Sequence, residues 1–418
     1  MHKFYIKSLG CKTNQTEGQI ISELLVNKGF IKTNNKSEAD IFIINSCSVT
    51  EHADNQTFYL IKQMKKENPK IKVVLTGCTA QTADINKIDA DLILGNSEKL
   101  RIDEYINSLF EYKKSIFIQN IFEIKKYETK ILHKTNKTRP SVKIQDGCDN
   151  RCSYCVIPFA RGNSRSETIE NIIEQINIHT KNNVKEIILT GIHIGQWGAD
   201  LWGKKLVDLL YEIENTDIVR YRLGSLYVNE IDEELFDFLV HSKKFCPHFH
   251  LSLQSLCDKT LKNMNRKYTK HNALEMIEKI HKNFNTPFIG ADIILGFPDE
   301  NRDDFLETKE AILNSNLSYV HSFPYSKRKG TSAYGFLNQV LDHVKKERTK
   351  EIIEISNSLH KKFLEKNKNQ IRPVLFEKRG KDGLFSGISD NYVKIYRKSD
   401  ENIRNTIELV DFSKEELY

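Results

Sequence analysis

Apolar and polar positions along the first hundred residues switch between two periods, and the switching predicts alternating strands and helices. Residues 2–8 read as a strand, and Ile20, Ile21, Leu24 and Leu25 fall at helical spacing within 17–28, with Gly29 as a stop. Residues 40–45 (DIFIIN) form the short apolar run of a parallel strand buried on both faces. Residues 54–66 predict a helix, 72–76 (KVVLT) a strand, and 91–94 (DLIL) another strand. This order predicts a doubly wound, Rossmann-like α/β domain over residues 1–124.

A second alternation begins at Val142. Its strands are predicted at 142–145, 186–190, 220–223, 248–253, 288–295 and 319–323, with helices at 168–179, 230–239, 273–281 and 303–313 between them. Six βα units in succession predict a parallel partial (β/α)6 barrel, because parallel neighbours need long crossovers. A long helix, 344–366, trails the barrel and completes a domain at 142–369. Beyond Pro373 the period shortens to strands at 374–377, 380–383, 384–388, 392–396 and 406–410, a small β-barrel module over 370–418. The two alternating regions are joined by a linker, 125–141. The stretch 125–143 carries seven Lys or Arg against the single acid Glu128.

Composition narrows the class. The chain of 418 residues is 39% hydrophobic and 28% charged, with 8 Pro and 19 Gly, which excludes collagen-like and disordered chains. No apolar run has the ~18 residues of a membrane span, and the N-terminus lacks an apolar stretch of signal-peptide length. The expectation is a cytoplasmic protein with no membrane partner. The net charge of +7 is compatible with a nucleic-acid partner and equally with a general Lys, Asn and Ile bias.

Cysteine placement changes the picture most. Cys148, Cys152 and Cys155 form C-x3-C-x2-C directly after a predicted strand. Three thiolates this close can hold three irons of a cubane cluster and leave the fourth open. The plainer reading, a structural zinc site, requires a fourth ligand, and none lies nearby. Cys11, Cys47 and Cys78 each sit just beyond a predicted strand. In a doubly wound sheet the carboxyl ends of the strands share one edge, so these three can converge there. Buried free thiols that behave as small hydrophobes are the alternative for any one of them, and that is the reading for Cys246 and Cys257.

At these motifs the chain resembles the radical S-adenosylmethionine (SAM) methylthiotransferase family. The resemblance rests on the cysteine loop with Tyr154 before its last thiol, and on three segments: Ser8–Gln15 (SLGCKTNQ), Ile44–Thr50 (INSCSVT) and Leu75–Gln81 (LTGCTAQ). It extends to residues 158–166, 189–193, 250–255 and 292–298 in the barrel, although Leu256 stands where the family pattern has glycine. It implies two 4Fe–4S clusters, one on Cys148, Cys152 and Cys155 and one on Cys11, Cys47 and Cys78. It also implies SAM at the open iron of the first, cleaved by one electron to a 5′-deoxyadenosyl radical. Tyr154, Gly191, Gln254 and Asp292 become candidates for binding the cofactor, and Arg161, Arg165 and His193 for SAM or substrate. The C-terminal module resembles an RNA-binding TRAM barrel. The implied partners are tRNA, an electron donor such as flavodoxin or ferredoxin, and a sulfur donor whose identity stays open.

Within the family, Gly10–Glu17 (GCKTNQTE), Lys143–Cys148 (KIQDGC) and Gly191–Gly195 (GIHIG) look most like the type that thiomethylates threonylcarbamoyladenosine at tRNA position 37. The related activities on isopentenyladenosine and on a ribosomal-protein aspartate are the alternatives. An RNA-binding protein whose clusters only sense redox state is the alternative of another class. A carboxylate-bearing substrate calls for a cation, for which Arg161, Arg165 and Arg328 are the candidates.

Overall fold

Six parallel strands form the first sheet of the computed structural model, which describes residues 1–418. They are β1 (Lys3–Ser8), β2 (Ile31–Lys32), β3 (Ile41–Ser46), β4 (Lys72–Gly77), β5 (Leu92–Leu94) and β6 (Ser115–Phe117), in the order β2-β1-β3-β4-β5-β6. β2 and β6, of two and three residues, are too short to show a period in the sequence. Alternation along β3 feeds two cores. Phe42 and Ile44 meet Val73, Leu75 and Ile93 beneath Ile61 and Met64 of helix α2 (Glu51–Glu67). Ile41 and Ile43 meet Val74, Leu92 and Leu94 beneath Ile21 and Leu25 of helix α1 (Lys12–Asn27). Helix α1 starts five residues before the apolar pattern does, because its first turns bury the polar residues Thr13, Asn14, Thr16 and Glu17.

The central region holds β7 (Ser141–Lys143), β8 (Gln145–Asp146), β9 (Arg165–Ser166), β10 (Glu186–Thr190), β11 (Arg220–Leu223), β12 (His248–Gln254), β13 (Phe288–Leu295) and β14 (Tyr319–Pro324). Two parallel sheets, β11-β10-β7 and β12-β13-β14, are joined by isolated parallel bridges at Tyr221–Phe245 and Leu226–Leu251. Six strands therefore run side by side around one continuous apolar core. β7 and β14 do not pair, and α1 of the first region packs against β7. β8 and β9 form a separate antiparallel pair that brackets the cysteine loop.

A 26-residue helix, Asp342–Asn367, leads to β15 (Ile371–Arg379), β16 (Phe385–Ser389), β17 (Lys394–Arg397) and β18 (Ile407–Asp411). These form a four-stranded antiparallel sheet in the order β17-β16-β15-β18. Residues 380–383, expected as a strand, are instead the turn between β15 and β16. Gly380 N–H donates to Leu384 O (2.7 Å), and Gly383 takes φ +82° in the left-handed region that glycine favours. The sheet docks on the amino ends of the barrel strands. Arg220 donates to Pro373 O and Ile388 O (both 2.9 Å), and Phe288 joins the apolar cluster of Val374, Phe376 and Ile395.

The basic segment before β7 has no regular structure, yet it is pinned to all three regions. Its contacts are His133 N–H to Glu23 (3.1 Å), Tyr127 OH to Lys143 O (2.9 Å), Thr129 to Glu167 (2.9 Å) and Arg139 to Glu377 (3.0 Å). No helix is long and apolar enough to cross a membrane.

Candidate functional site

The loop from Gly147 to Cys155 is held by backbone contacts that no spacing rule reveals. Gly147 has φ +73°, and a Cβ there would lie 1.9 Å from Asn163 O, so only glycine lets the loop turn against residues 162–163. Cys148 N–H donates to Gly162 O (3.0 Å), Ser153 N–H to Met264 O (3.1 Å), and Ser153 Oγ to Asn263 O (2.7 Å). Cys148 and Cys152 are buried and Cys155 is half-buried. Burial, with Cys152 beside it, pushes the Cys155 thiol up to about 12. Cationic donors stand against two of the sulfurs. His193 Nδ1 lies 3.4 Å from Cys148 Sγ, and its Nε2 pairs with Glu230. Burial alone would lower His193, but the Cys148 and Glu230 contacts outweigh it and raise it to about 9. Arg266 donates to Cys152 Sγ at 3.5 Å while its guanidinium lies 3.8 Å above the Tyr227 ring. Positive charge at this position favours thiolate over thiol.

The second set of thiols is assembled by the parallel sheet. β1, β3 and β4 are adjacent, with Ser8 opposite Asn45 and Ser46 opposite Gly77. At a strand spacing of about 4.8 Å, the residues just beyond them, Cys11, Cys47 and Cys78, leave the sheet side by side. Strand order reverses between β1 and β3, which places Cys11 and Cys47 at the crevice where open α/β sheets bind ligands. Gly10, at φ +77°, lets the first loop close on the second: a Cβ there would fall 2.5 Å from Cys47 Sγ. Polar residues of the three segments lock them together. Asn14 donates to Leu9 O and Ser46 O (3.0 and 2.6 Å), Ser46 Oγ to Thr76 O (2.6 Å), and Thr79 Oγ1 to Cys47 O (3.0 Å). Burial pushes the Cys47 thiol up to about 11; a Val49 N–H opposes this, and Cys78 and Cys11 add to it.

The two sets face each other. Helix α3 (Cys78–Thr82) packs against the helix Ile157–Arg161, which directly follows the cysteine loop. Asn96 Nδ2 lies 2.7 Å from Ala160 O and 3.8 Å from Cys78 Sγ. A buried charge network fixes this contact. Arg161 donates to Glu17 and Asp146 (2.9 Å each) and to Asn14 (2.7 Å), and Lys143 donates to Glu17 and Asp146 (2.7 Å each). Burial alone would raise both carboxyls, but Arg161 and Lys143 hold Glu17 and Asp146 below the usual carboxylate range.

Below the contact lies a cavity of about 930 Å3, roofed by Cys11, Lys12, Thr13 and Val49 and walled by the inward faces of the barrel strands. Ser225, His250 and Asp292 form a polar chain on one wall. Ser225 Oγ is 2.8 Å from His250 Nδ1, and His250 Nε2 is 3.5 Å from Asp292 Oδ1. Burial, then the Lys12 charge, pushes His250 down to about 4, so the ring is neutral at pH 7. Burial raises Asp292 to about 6, with His321 opposing. Tyr392 of the C-terminal sheet closes the far end by stacking 4.2 Å from the His248 ring.

The four residues expected at the cofactor separate here. Gly191 and Asp292 line the cavity, and Gly191 O accepts from Thr13 Oγ1 (3.1 Å). Tyr154 instead packs edge-on against Phe297 beside the cysteine loop. Gln254 ends β12 at φ +63°, where the β12–β13 register shifts. The three candidate arginines for a substrate carboxylate are all committed elsewhere. Arg161 holds Glu17 and Asp146, Arg165 donates to Asn163 O and Arg161 O (2.9 Å each), and Arg328 pairs with Asp54 and with Ser48 (2.9 Å). Arg161 and Arg328 found their carboxylates across fold contacts that the sequence does not display, whereas Arg165 is held by carbonyls of its own segment. Arg266 and Glu230 also escape sequence reasoning: neither shares a spacing with the cysteine loop they support. Cys246 and Cys257 are buried, away from both thiol sets, Cys257 3.7 Å from Asp304 Oδ1.

Comparison with known proteins agrees with this geometry. The profile of the uncharacterized protein family UPF0004 matches residues 3–95, and that of the radical SAM superfamily matches 142–312. The threonylcarbamoyladenosine tRNA methylthiotransferase MtaB of Aquifex aeolicus is 33% identical over 98% of this chain and 100% of its own length. The chain belongs to the radical SAM methylthiotransferases. MtaB of Bacillus subtilis is 34% identical over 95% of the chain and 90% of its own. The tRNA-2-methylthio-N(6)-dimethylallyladenosine synthase of Clostridium tetani is 32% identical over 91% and 86%. Among solved structures, the radical SAM methyltransferase TsrM of Kitasatospora setae shares the fold. Its TM-score is 0.56 at 11% identity, over 77% of this chain and 73% of that one. Methylthiotransferase membership makes the protein an enzyme and brings one 4Fe–4S cluster and SAM with it.

Proposed function

We propose that this methylthiotransferase converts threonylcarbamoyladenosine at position 37 of tRNA to its 2-methylthio derivative. The observation that carries the reading is that the helices beside the two separate thiol triads pack against each other next to one large cavity, which Cys11 lines. Relatives of near-equal length named MtaB, from Aquifex aeolicus and Bacillus subtilis, support the substrate.

In this reading Cys148, Cys152 and Cys155 hold the cluster that binds SAM, and Cys11, Cys47 and Cys78 hold a second cluster that delivers sulfur. Such clusters supply one-electron reducing power and sulfur, and SAM supplies both a carbon radical and a methyl group. The chain's own part is placement and charge. Arg266 and His193 donate to the sulfurs of Cys152 and Cys148 and stabilise negative charge there. Gly191 and Asp292, at the cavity wall, stand where SAM or substrate approaches, while Tyr154 and Gln254 brace the loop and strand end beside it. Arg161 and Glu17 clamp the first region onto the barrel, so the two triads keep a fixed distance. Position 37 lies in a single-stranded loop, where a base can be turned out into a cavity.

Domains at 1–124, 142–369 and 370–418, joined by 125–141, complete the reading. The last is a TRAM-like barrel that contacts RNA. Its support is the antiparallel sheet and the return of Tyr418 to Lys394 through two backbone hydrogen bonds (2.8 and 3.0 Å). The enzyme works in the cytoplasm, with a flavodoxin or ferredoxin as reductant.

Mass spectrometry of tRNA nucleosides from cells lacking the gene tests the substrate. The expected result is loss of 2-methylthio-threonylcarbamoyladenosine with accumulation of its unthiolated precursor. Loss of the methylthio-isopentenyl nucleoside instead would assign the activity of the Clostridium tetani relative.

A further inference from the structure

With Arg161 and Arg328 committed to ion pairs and Arg165 to backbone carbonyls, the cavity needs another source of positive charge if it takes a carboxylate. Three lysines and arginines line it: Lys12, Arg139 and Lys394. Arg139 is held by Glu377 at 3.0 Å and lies 3.6 Å from Glu186. Lys394 donates to Tyr396 OH and lies over that ring. Lys12 differs from both. Its ammonium has no hydrogen-bond acceptor and no carboxylate within 4.0 Å, although it is the first residue of α1 and sits directly over the cavity. Of the ionised groups around it, Arg139 and Arg222 carry like charge and Glu186 opposite charge. Glu186 is already shared, with Arg220 at 2.7 Å and Arg222 at 2.8 Å, so this end of the cavity carries an excess of positive charge. Lys12 is an exposed residue at the edge of the cavity, so its ammonium stays hydrated and available until an anion enters.

We infer that Lys12 is the specificity-determining counter-ion for the carboxylate of the substrate's threonyl group. The inference rests on the proposed function and deepens it. The neutral His250 and the Ser225, Ser252 and Thr13 hydroxyls line the same cavity and can meet the uncharged amide and hydroxyl groups of the substituent. Asp292, the acid of that wall, lies 3.5 Å from His250 Nε2 and makes no ion pair with Lys12 within 4.0 Å, so it leaves the lysine's charge unspent. An isopentenyl group offers no anion and would leave the ammonium unpaired, so the same residue selects against it.

The test uses the full-length protein, wild type, Lys12→Met and Lys12→Arg, with three forms of one tRNA: carrying threonylcarbamoyladenosine at position 37, carrying its carboxamide analogue, and unmodified. Binding to the cluster-free protein and KM of the reconstituted enzyme are both read. Wild type is expected to prefer the carboxylate over the amide by roughly ten- to hundredfold, the range of one charge-assisted hydrogen bond. Lys12→Met should lose that preference, Lys12→Arg should keep most of it, and iron content should be unchanged in both. A Lys12→Met protein that keeps the full preference overturns the assignment. So does one that loses affinity equally for all three tRNAs, since the anion would then be a phosphate. If wild type itself turns over none of the threonylcarbamoyl tRNA, the proposed substrate fails, and the inference with it.

Discussion

The two thiol triads are built in opposite ways. Cys148, Cys152 and Cys155 lie on one loop eight residues long, positioned by hydrogen bonds from its backbone and from Ser153 Oγ to the carbonyls of residues 162, 263 and 264. Cys11, Cys47 and Cys78 come from three strand ends and exist as a set only because β1, β3 and β4 are neighbours in one sheet. The first needs a loop; the second needs a folded domain. Their environments differ too. The sulfurs of the first are touched by the cations Arg266 and His193, whereas that of Cys78 is approached by the neutral amide of Asn96, with the cations Arg161 and Lys99 held on Glu17 behind it. The cationic donors suit a site that must stabilise added negative charge.

The strongest way to break the comparison is to remove one thiol from each set. Cys152→Ala is expected to reduce SAM cleavage to background, read as 5′-deoxyadenosine formed under reducing conditions. Cys47→Ala should leave that cleavage largely intact and abolish thiomethylated product. A Cys47→Ala enzyme making full product would remove the second cluster from the mechanism. Next in size is the clamp between the triads. Arg161→Ala leaves Glu17 and Asp146 short of a buried partner, and breaking such a pair costs about 3–5 kcal/mol. Chemical denaturation should show the loss, whereas Lys205→Ala, at an exposed pair, should change stability by less than about 1 kcal/mol.

A third prediction concerns the large cavity lined by Cys11 and the barrel strands. Burial raises Asp292 from 3.8 to about 6. The folded state holds that proton more tightly than the unfolded state, so the carboxyl costs nothing below pH 3.8 and costs most above about pH 6. Asp292→Asn should therefore stabilise the fold by up to about 3 kcal/mol at pH 8, with the gain shrinking as pH falls toward 4. A gain that does not vary with pH would show that Asp292 is not the group under strain. The smallest effect belongs to the basic segment. Lys130 lies 3.8 Å from Glu128 and Lys137 lies 3.5 Å from Gln15, and Lys134 is exposed. Neutralising all three should weaken tRNA binding and lower the slope of log K against log salt by about 0.9 per lost phosphate contact, by analogy with duplex DNA. An unchanged slope would make the segment a brace between regions and nothing more.

Where the period is long and regular, the structure follows the sequence. β10, β11 and β13 span the residues that the hydrophobic pattern predicts. The pattern fails where its assumptions fail. α1 begins with buried polar residues that fasten loops rather than a core, β2 and β6 are too short for a period, and 380–383 is a glycine turn. The spacing within Cys148–Cys155 was legible because its ligand geometry is local.

The sequence by itself determined that three thiols cluster in one loop, that Cys11, Cys47 and Cys78 each follow a strand, and that six βα units follow, because strand and helix periods are local consequences of side-chain pattern. Tertiary structure alone decided what surrounds them. It placed Arg266 and His193 on the sulfurs, spent Arg161 and Arg328 on ion pairs and Arg165 on backbone carbonyls, and left Lys12 over the cavity without a partner. Charge pairing acts through space at a few ångströms, between residues as far apart as Arg328 and Asp54, and no period along the chain records that distance.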